Sequence, residues 1–212
     1  MAGESLAATV RARTIINAAG PWVDAIRQLE DSAAPLKLQL TKGIHIVFKR
    51  DRLPVNNSVV MTTPDKRMIF TCPREDCVYV GTTDTFYPDS DYWPAIEAED
   101  IDYLINTTNQ CFDVEPLSRE DIVSAWSGIR PLLGEEGKSP SEISRKDEIL
   151  EGAGGVLSMA GGKLTAYRVM ASKVVDLCEK RLGREPTNCT TADSILPGGD
   201  LAGTFAEFQQ AL

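Results

Sequence analysis

Three side chains of this 212-residue sequence stand where they could do acid–base or anion chemistry. His45 is the sole histidine, within Thr41-Lys42-Gly43-Ile44-His45-Ile46-Val47. An imidazole has an unperturbed pKa of about 6.5, which suits a general base near neutral pH. On a strand it points to one face of the sheet, because successive side chains alternate. Arg130 lies in Ser127-Gly128-Ile129-Arg130-Pro131-Leu132. Pro131 disfavours helix at the residue before it, and Gly128 permits close backbone approach. A planar, five-donor guanidinium suits a phosphate or a polarised oxygen. Lys163 follows Gly161-Gly162 at the expected start of a helix, where a cation opposes the macrodipole. Such a conflict is expected where function requires it. Glycines there let an anionic ligand approach N–H groups that have no partner within the helix.

Two nucleotide-binding patterns nearly occur and fail. Gly152-Ala153-Gly154-Gly155 begins like G-x-G-x-x-G but has Leu157 at the third glycine, between two strand-like segments, so it reads as a hairpin turn. Gly162-Lys163 lacks the Ser/Thr of a P-loop, since Leu164 stands there.

The elements that must position these residues can be read in order. Thr14 to Ile16 form a short buried-strand signal, and Pro21 opens a helix carrying Trp22, Val23, Ile26 and Leu29 at helical spacing. Leu36 to Lys49, Ser58 to Thr62, Arg67 to Cys72 and Cys77 to Thr82 read as strands. The short turns between them favour antiparallel pairing. The spacing predicts a helix over Glu97 to Phe112, with Ile101, Leu104, Ile105 and Thr108 on one face. Extended segments follow at Ile122 to Trp126, Glu142 to Leu150 and Gly155 to Ala160. A helix over Lys163 to Leu182 carries Leu164, Tyr167, Ala171, Val174, Cys178 and Leu182 as its apolar stripe and ends at Gly183. Arg184 to Gly203 reads as a linker, and Phe205 to Leu212 begins another helix. The first strand has little sheet to join and the last helix is given up early. Both ends are therefore expected to cut through larger elements. Trp93 and Trp126 read as packing residues, and Tyr167 and Arg168 as packing or capping residues.

The formal net charge of −9 argues against non-specific nucleic-acid binding, which needs a basic footprint. Five cysteines without C-x-x-C spacing, beside one histidine, point to free thiols in a reducing compartment, with neither a metal site nor a disulfide framework. No apolar run approaches the roughly 18 to 20 residues that span a bilayer, so any membrane association would be peripheral.

Five motifs occur in order: Asn17-Ala18-Ala19-Gly20-Pro21-Trp22, Thr41 to Val47, Gly81-Thr82-Thr83-Asp84, Ser127 to Leu132, and Gly161 to Arg168. Together the sequence closely resembles the FAD-dependent sn-glycerol-3-phosphate dehydrogenases from Arg11 onward, and Leu196-Pro197-Gly198-Gly199-Asp200 resembles their passage into a C-terminal helical domain. The resemblance implies an α+β and α/β fold: a substrate-binding antiparallel sheet with flanking helices, plus the latter part of an FAD-binding domain. It divides the chain into a strand–helix piece of the FAD domain at 9–34 and a substrate-binding β domain with a helix at 35–126. A return to the FAD domain at 127–183 follows, then a linker with the start of a helical domain at 184–212. The family's N-terminal G-x-G-x-x-G segment is not in this sequence.

By the same resemblance, His45, Arg130 and Lys163 are catalytic, and Arg130, Arg145 and Lys163 bind substrate. Gly20, Gly162, Lys163, Leu164 and Thr165 contact the flavin. The implied reaction is oxidation of sn-glycerol 3-phosphate to dihydroxyacetone phosphate, with FAD as cofactor and a quinone as electron acceptor of the full-length enzyme. The implied location is cytoplasmic, peripheral at the inner membrane. Two alternatives stand beside it. One is a related flavin enzyme of amino acids or 2-hydroxy acids, with Arg130 on a carboxylate. The other is a structured fragment without cofactor, inactive alone and pairing with a second copy through exposed apolar faces.

Overall fold

The computed structural model describes residues 8–89, 92–134, 143, 146–200 and 203–210. The chain forms two compact units, Met1–Lys163 and Leu164–Leu212.

The first unit holds two sheets. Strand β1 (Ile16–Asn17) leads through a 3-10 turn at Gly20–Trp22 into helix α1 (Val23–Glu30). Strands β2 (Leu38–Lys49), β3 (Val59–Thr62), β4 (Met68–Arg74), β5 (Cys77–Gly81) and β6 (Thr85–Phe86) follow. Helix α2 (Ala98–Cys111) precedes β7 (Ile122–Leu133), β8 (Asp147–Glu151) and β9 (Leu157–Gly161). The larger sheet runs β3-β4-β5-β2, with β7 on the other side of β2 and β6 continuing the β5 side. All its pairs are antiparallel, as short connections favour. The smaller sheet runs β1-β9-β8, with β1 parallel to β9.

The core lies under one face of the larger sheet. Ile44, Ile46 and Phe48 of β2 join Met61, Ile69, Val78 and Val80 from neighbouring strands, and Leu104 and Ile105 of α2 close over them. The expected helical face carries these contacts, with Thr108 buried and Ile101 partly so. A reciprocal capping box starts α2: Glu97 accepts from the third residue's N–H while Asp100 accepts from the Glu97 N–H.

Several elements differ from the sequence expectation. Strand β7 does not end at Trp126 but continues through Arg130 and Pro131 to Leu133. Pro131 pairs with Leu40 on an edge strand, where a missing N–H leaves no ladder gap. Strand β8 starts at Asp147, and the short β6 is an addition that alternation alone did not mark. The 152–155 glycine run is the β8–β9 hairpin turn. Gly152 and Gly154 have no side chain because the Glu30 carboxylate occupies that space, and its Oε1 accepts from Val156 N.

In the second unit the helix does not start at Lys163. Leu164–Ala166 form a 3-10 turn, α3 spans Tyr167–Arg181 and α4 spans Phe205–Gln210. Leu164 and Tyr167 are exposed, so the expected apolar stripe loses its first turn, and Val174 is its buried member. The C-terminus is as read. Gly183 adopts a left-handed φ of 70°, its N–H reaches Lys180 O, and Arg184 N reaches Glu179 O, the two bonds of a Schellman motif.

Candidate active site

The site is built on the face of the larger sheet away from its core. Alternation along β2 sends Thr41, Gly43, His45 and Val47 to this face. Direct pairing adds Arg130, Gly128 and Trp126 of β7 opposite Thr41, Gly43 and His45, and Gly81 of β5 opposite His45. His45 and Arg130, far apart in sequence, thus share one surface.

Each head group lies over a glycine. A Cβ at Gly81 would overlap the His45 ring, and a Cβ at Gly43 would overlap the Arg130 guanidinium. Arg130 folds back toward β5, donating from Nη2 to Thr82 Oγ1 (2.7 Å) and from Nη1 to Thr83 O and Asp84 Oδ1 (3.3 Å each). Folding back brings the guanidinium over a position two residues from His45, about 7 Å along the strand.

The 82–84 segment is held where this requires. Ladder β2–β5 stops at His45–Gly81 and ladder β2–β6 resumes at Lys42–Thr85. In the gap, Thr83 Oγ1 accepts from Ile44 N at 3.0 Å, and Arg67 Nη1 donates to Asp84 O at 3.0 Å. Side chains take over from the ladder, and the loop becomes a bracket for Arg130.

His45 stacks on Trp126, with ring centroids 4.8 Å apart and planes within 10°, and Tyr79 meets it edge-on at 6.1 Å. Burial, and then the nearby Arg130 charge, hold its pKa below the usual histidine value. The ring is therefore neutral at neutral pH and able to accept a proton. Between this ring pair and Arg130, the space above Gly128 is open. A groove of about 530 Å³ lined by Val47, Arg74, Tyr79 and Trp126 borders the rings. Another groove, of about 470 Å³ in the second unit beside Tyr167 and Cys189, contains none of the candidate residues.

Two of the flavin candidates, Gly20 and Gly162, stand at the ends of the segments that follow strands β1 and β9 of the smaller sheet. The buried Asn17 amide shapes the first turn: Nδ2 donates to Val23 O and Ser158 Oγ, and Oδ1 accepts from Ala19 N. Gly20 then takes a left-handed φ of 57° with open space where a side chain would be. At the end of β9, Gly161 and Gly162 have φ of 70° and 85°, and a Cβ on Gly161 would overlap Lys146 O. Leu133, the last residue of β7, packs over Gly161, its Cγ 3.1 Å from where a Cβ would stand. One strand thus runs from the ring pair past Arg130 to the smaller sheet.

Lys163 is exposed at the end of the first unit, and among the described residues it makes no ion pair. It precedes a 3-10 turn, so the macrodipole conflict read from the sequence does not arise at an α-helix start. Leu164 and Thr165 are exposed in the turn that opens the second unit. Arg145 lies outside the described residues. Sequence reasoning missed Trp126, Thr82 and Asp84 as site residues. Its usable signal was the glycines inside strands, which mark close backbone approach. Among the described residues no cluster of His, Cys, Asp and Glu could hold a metal ion.

Residues 2–168 match the family model described as FAD dependent oxidoreductase. The chain is 49% identical over 201 residues to an aerobic glycerol-3-phosphate dehydrogenase of Staphylococcus aureus, covering 92% of this chain and 36% of that protein. The chain thus spans little more than a third of the length of the curated relatives it matches. Its fold is similar to the glycerol-3-phosphate dehydrogenase from Bacillus halodurans complexed with FAD, with TM-score 0.81 and 40% identity, covering 96% of this chain and 39% of that one. It is also similar to iminodiacetate oxidase from Chelativorans sp. BNC1, with TM-score 0.53 and 16% identity, covering 87% of this chain and 46% of that one, which is a likeness of fold alone.

Proposed function

The chain belongs to the family of FAD-dependent oxidoreductases, and from that premise we propose that it is the substrate-facing part of an enzyme oxidising sn-glycerol 3-phosphate to dihydroxyacetone phosphate. The observation that carries the reading is the placing of a neutral imidazole and a bracketed guanidinium on one sheet face, flanking open backbone at Gly128.

His45 accepts the proton of the substrate C2 hydroxyl, a task its lowered pKa suits at neutral pH. Arg130 holds the phosphate or the developing C2 oxygen. Its Thr82 and Asp84 partners fix the orientation and temper the charge without cancelling it. Lys163 adds a second cation for substrate or flavin, and Arg145 a third for substrate on sequence grounds alone. FAD, when bound, supplies the acceptor for the hydride leaving C2. The fold fits that group at Gly20, where open space and left-handed backbone leave the main chain bare to a planar ring. Gly162 and Lys163 are further contacts. Leu164 and Thr165 are assigned to the flavin on the sequence motif.

For the full-length enzyme the reading includes a quinone acceptor and a cytoplasmic protein peripheral to the inner membrane. No described helix is long and apolar enough to cross a membrane. Pairing of two copies through apolar surface is part of the same reading, and the exposed Val60, Met68 and Phe70 on β3 and β4 supply such a face. The division into FAD-domain pieces at 9–34 and 127–183, a substrate domain at 35–126 and a linker from 184 is likewise proposed.

The test is turnover by the polypeptide that contains this chain, with a dye as electron acceptor. Reduction of the dye by sn-glycerol 3-phosphate is expected, lost in Arg130→Ala. Turnover of a 2-amino or 2-hydroxy acid, with none of sn-glycerol 3-phosphate, overturns the reading.

A further inference from the structure

A histidine base usually has an orienting partner. Among the described residues neither ring nitrogen makes a hydrogen bond, and no carboxylate or carbonyl fixes the ring. The imidazole is held instead by flat surfaces on the two neighbouring strands. On the β5 side it leans over Gly81, where a Cβ would overlap Cδ2, Cγ and Nε2. On the β7 side the Trp126 indole lies parallel to it. Tyr79 completes the cluster, 5.8 Å from the indole. Trp126 is 43% exposed, and on this face its ring meets those of His45 and Tyr79.

We infer that Trp126 is a positioning residue for the proposed oxidation, clamping the His45 imidazole against Gly81 so that both ring nitrogens stay available to substrate. This rests on the reading of His45 as the base. A parallel ring contact restricts rotation about the bond to the imidazole, which is what a hydrogen-bonding partner would otherwise do. It does so without giving a ring nitrogen a protein partner. The indole also shields the ring from water, and so favours its neutral form. Among the described residues the charge that shifts the ring is that of Arg130, while Glu75 and Asp76 line the neighbouring groove beside Tyr79 and Trp126. Arg130 comes from β7, and the Tyr79 phenol on β5 has its pKa raised, chiefly by its hydrogen bond to Cys72 on β4, so it is neutral at neutral pH.

The single histidine makes the test direct. In the untagged 212-residue chain, labelled imidazole gives one ring to follow by NMR through a pH titration. Trp126→Ala is expected to move the His45 midpoint upward, toward about 6.5, and to remove the ring-current shift of its carbon-bound protons. Trp126→Phe is expected to retain most of both. In the polypeptide that contains the chain, Trp126→Ala is expected to lower kcat roughly ten- to hundredfold at pH 7. The KM for sn-glycerol 3-phosphate should hold, because Arg130 is untouched, and the acid limb of the kcat profile should move to higher pH. Trp126→Phe should stay within about threefold of the parent. An unmoved midpoint and unmoved ring shifts in a folded Trp126→Ala chain overturn the inference, as does an equal loss in the alanine and phenylalanine variants. A parent that does not oxidise sn-glycerol 3-phosphate overturns the functional reading instead, and the NMR titration is scored independently of it.

Discussion

The two faces of β2 show opposite uses of the same strand. On one stand Lys42, Ile44, Ile46 and Phe48, all buried, the three apolar ones packed by α2 and the neighbouring strands. Even the charge there is satisfied internally, since Lys42 Nζ reaches Asp100 Oδ2 at 2.7 Å and Ala95 O at 2.9 Å. On the other face stand Gly43 and His45, with Gly128 and Gly81 across the ladders. The packed face is made by side chains that fill space. The site face depends as much on side chains that are missing, because removing a Cβ is what lets a guanidinium and an imidazole lie flat on the sheet. Stability and the proposed chemistry are thus separated by the pleat, one residue apart.

That separation can be broken most severely from the packed side. Phe48→Ala removes a fully buried ring from the centre of the core and is expected to cost about 3–5 kcal/mol in chemical denaturation, with the site lost as a consequence. Asp100→Ala leaves Lys42 buried without its counter-charge. A cost of about 3 kcal/mol is expected, read the same way, and a loss below about 1 kcal/mol would show that water reaches the pair.

From the site side the balance should invert. In Gly43→Ala the nearest atoms to the new Cβ are the movable ends of Arg130 and Thr82, so denaturation should shift by less than about 1 kcal/mol. The displaced guanidinium should nonetheless lower kcat/KM roughly a hundredfold, since small misplacements cost that much. A variant that loses stability and activity together would collapse the distinction between the faces. The smallest effect concerns pH. Burial and Arg130 lower the His45 pKa in the folded chain, so folding disfavours the protonated ring. The contribution is fully present above the ordinary histidine pKa of about 6.5 and declines as pH falls through the lowered folded value. The Tm of the parent should therefore fall more steeply below about pH 6.5 than that of His45→Gln, and parallel curves would remove His45 from the account.

Much of this architecture was legible because period and turn chemistry agreed. Strands β2 to β5 have β-branched and aromatic residues between short polar turns, and α2 shows its buried face in Leu104, Ile105 and Thr108. The FAD-dependent family was legible through motif order. What escaped notice was set by tertiary pairing. The extended segment was expected to stop at Trp126, but on the edge of a sheet Pro131 costs no hydrogen bond and β7 runs on to Leu133. Lys163 looked like the first residue of a helix, although two left-handed glycines and a 3-10 turn separate β9 from α3. Trp126 read as packing because nothing in the sequence says that it faces His45. Only the β2–β7 register does.

The Gly43–Gly128 pair has one more consequence, for anything designed to compete at this surface. Backbone N–H and C=O groups of an antiparallel ladder lie in the plane of the sheet, so the ground between the His45 ring and Arg130 offers a visitor no polar handle. Selectivity must come from the perimeter, where an imidazole, a guanidinium and a threonine hydroxyl stand at fixed spacing. A compact, flat molecule with an acceptor for the guanidinium and a hydroxyl to donate to the imidazole should bind well. One that seeks hydrogen bonds in the middle will find none.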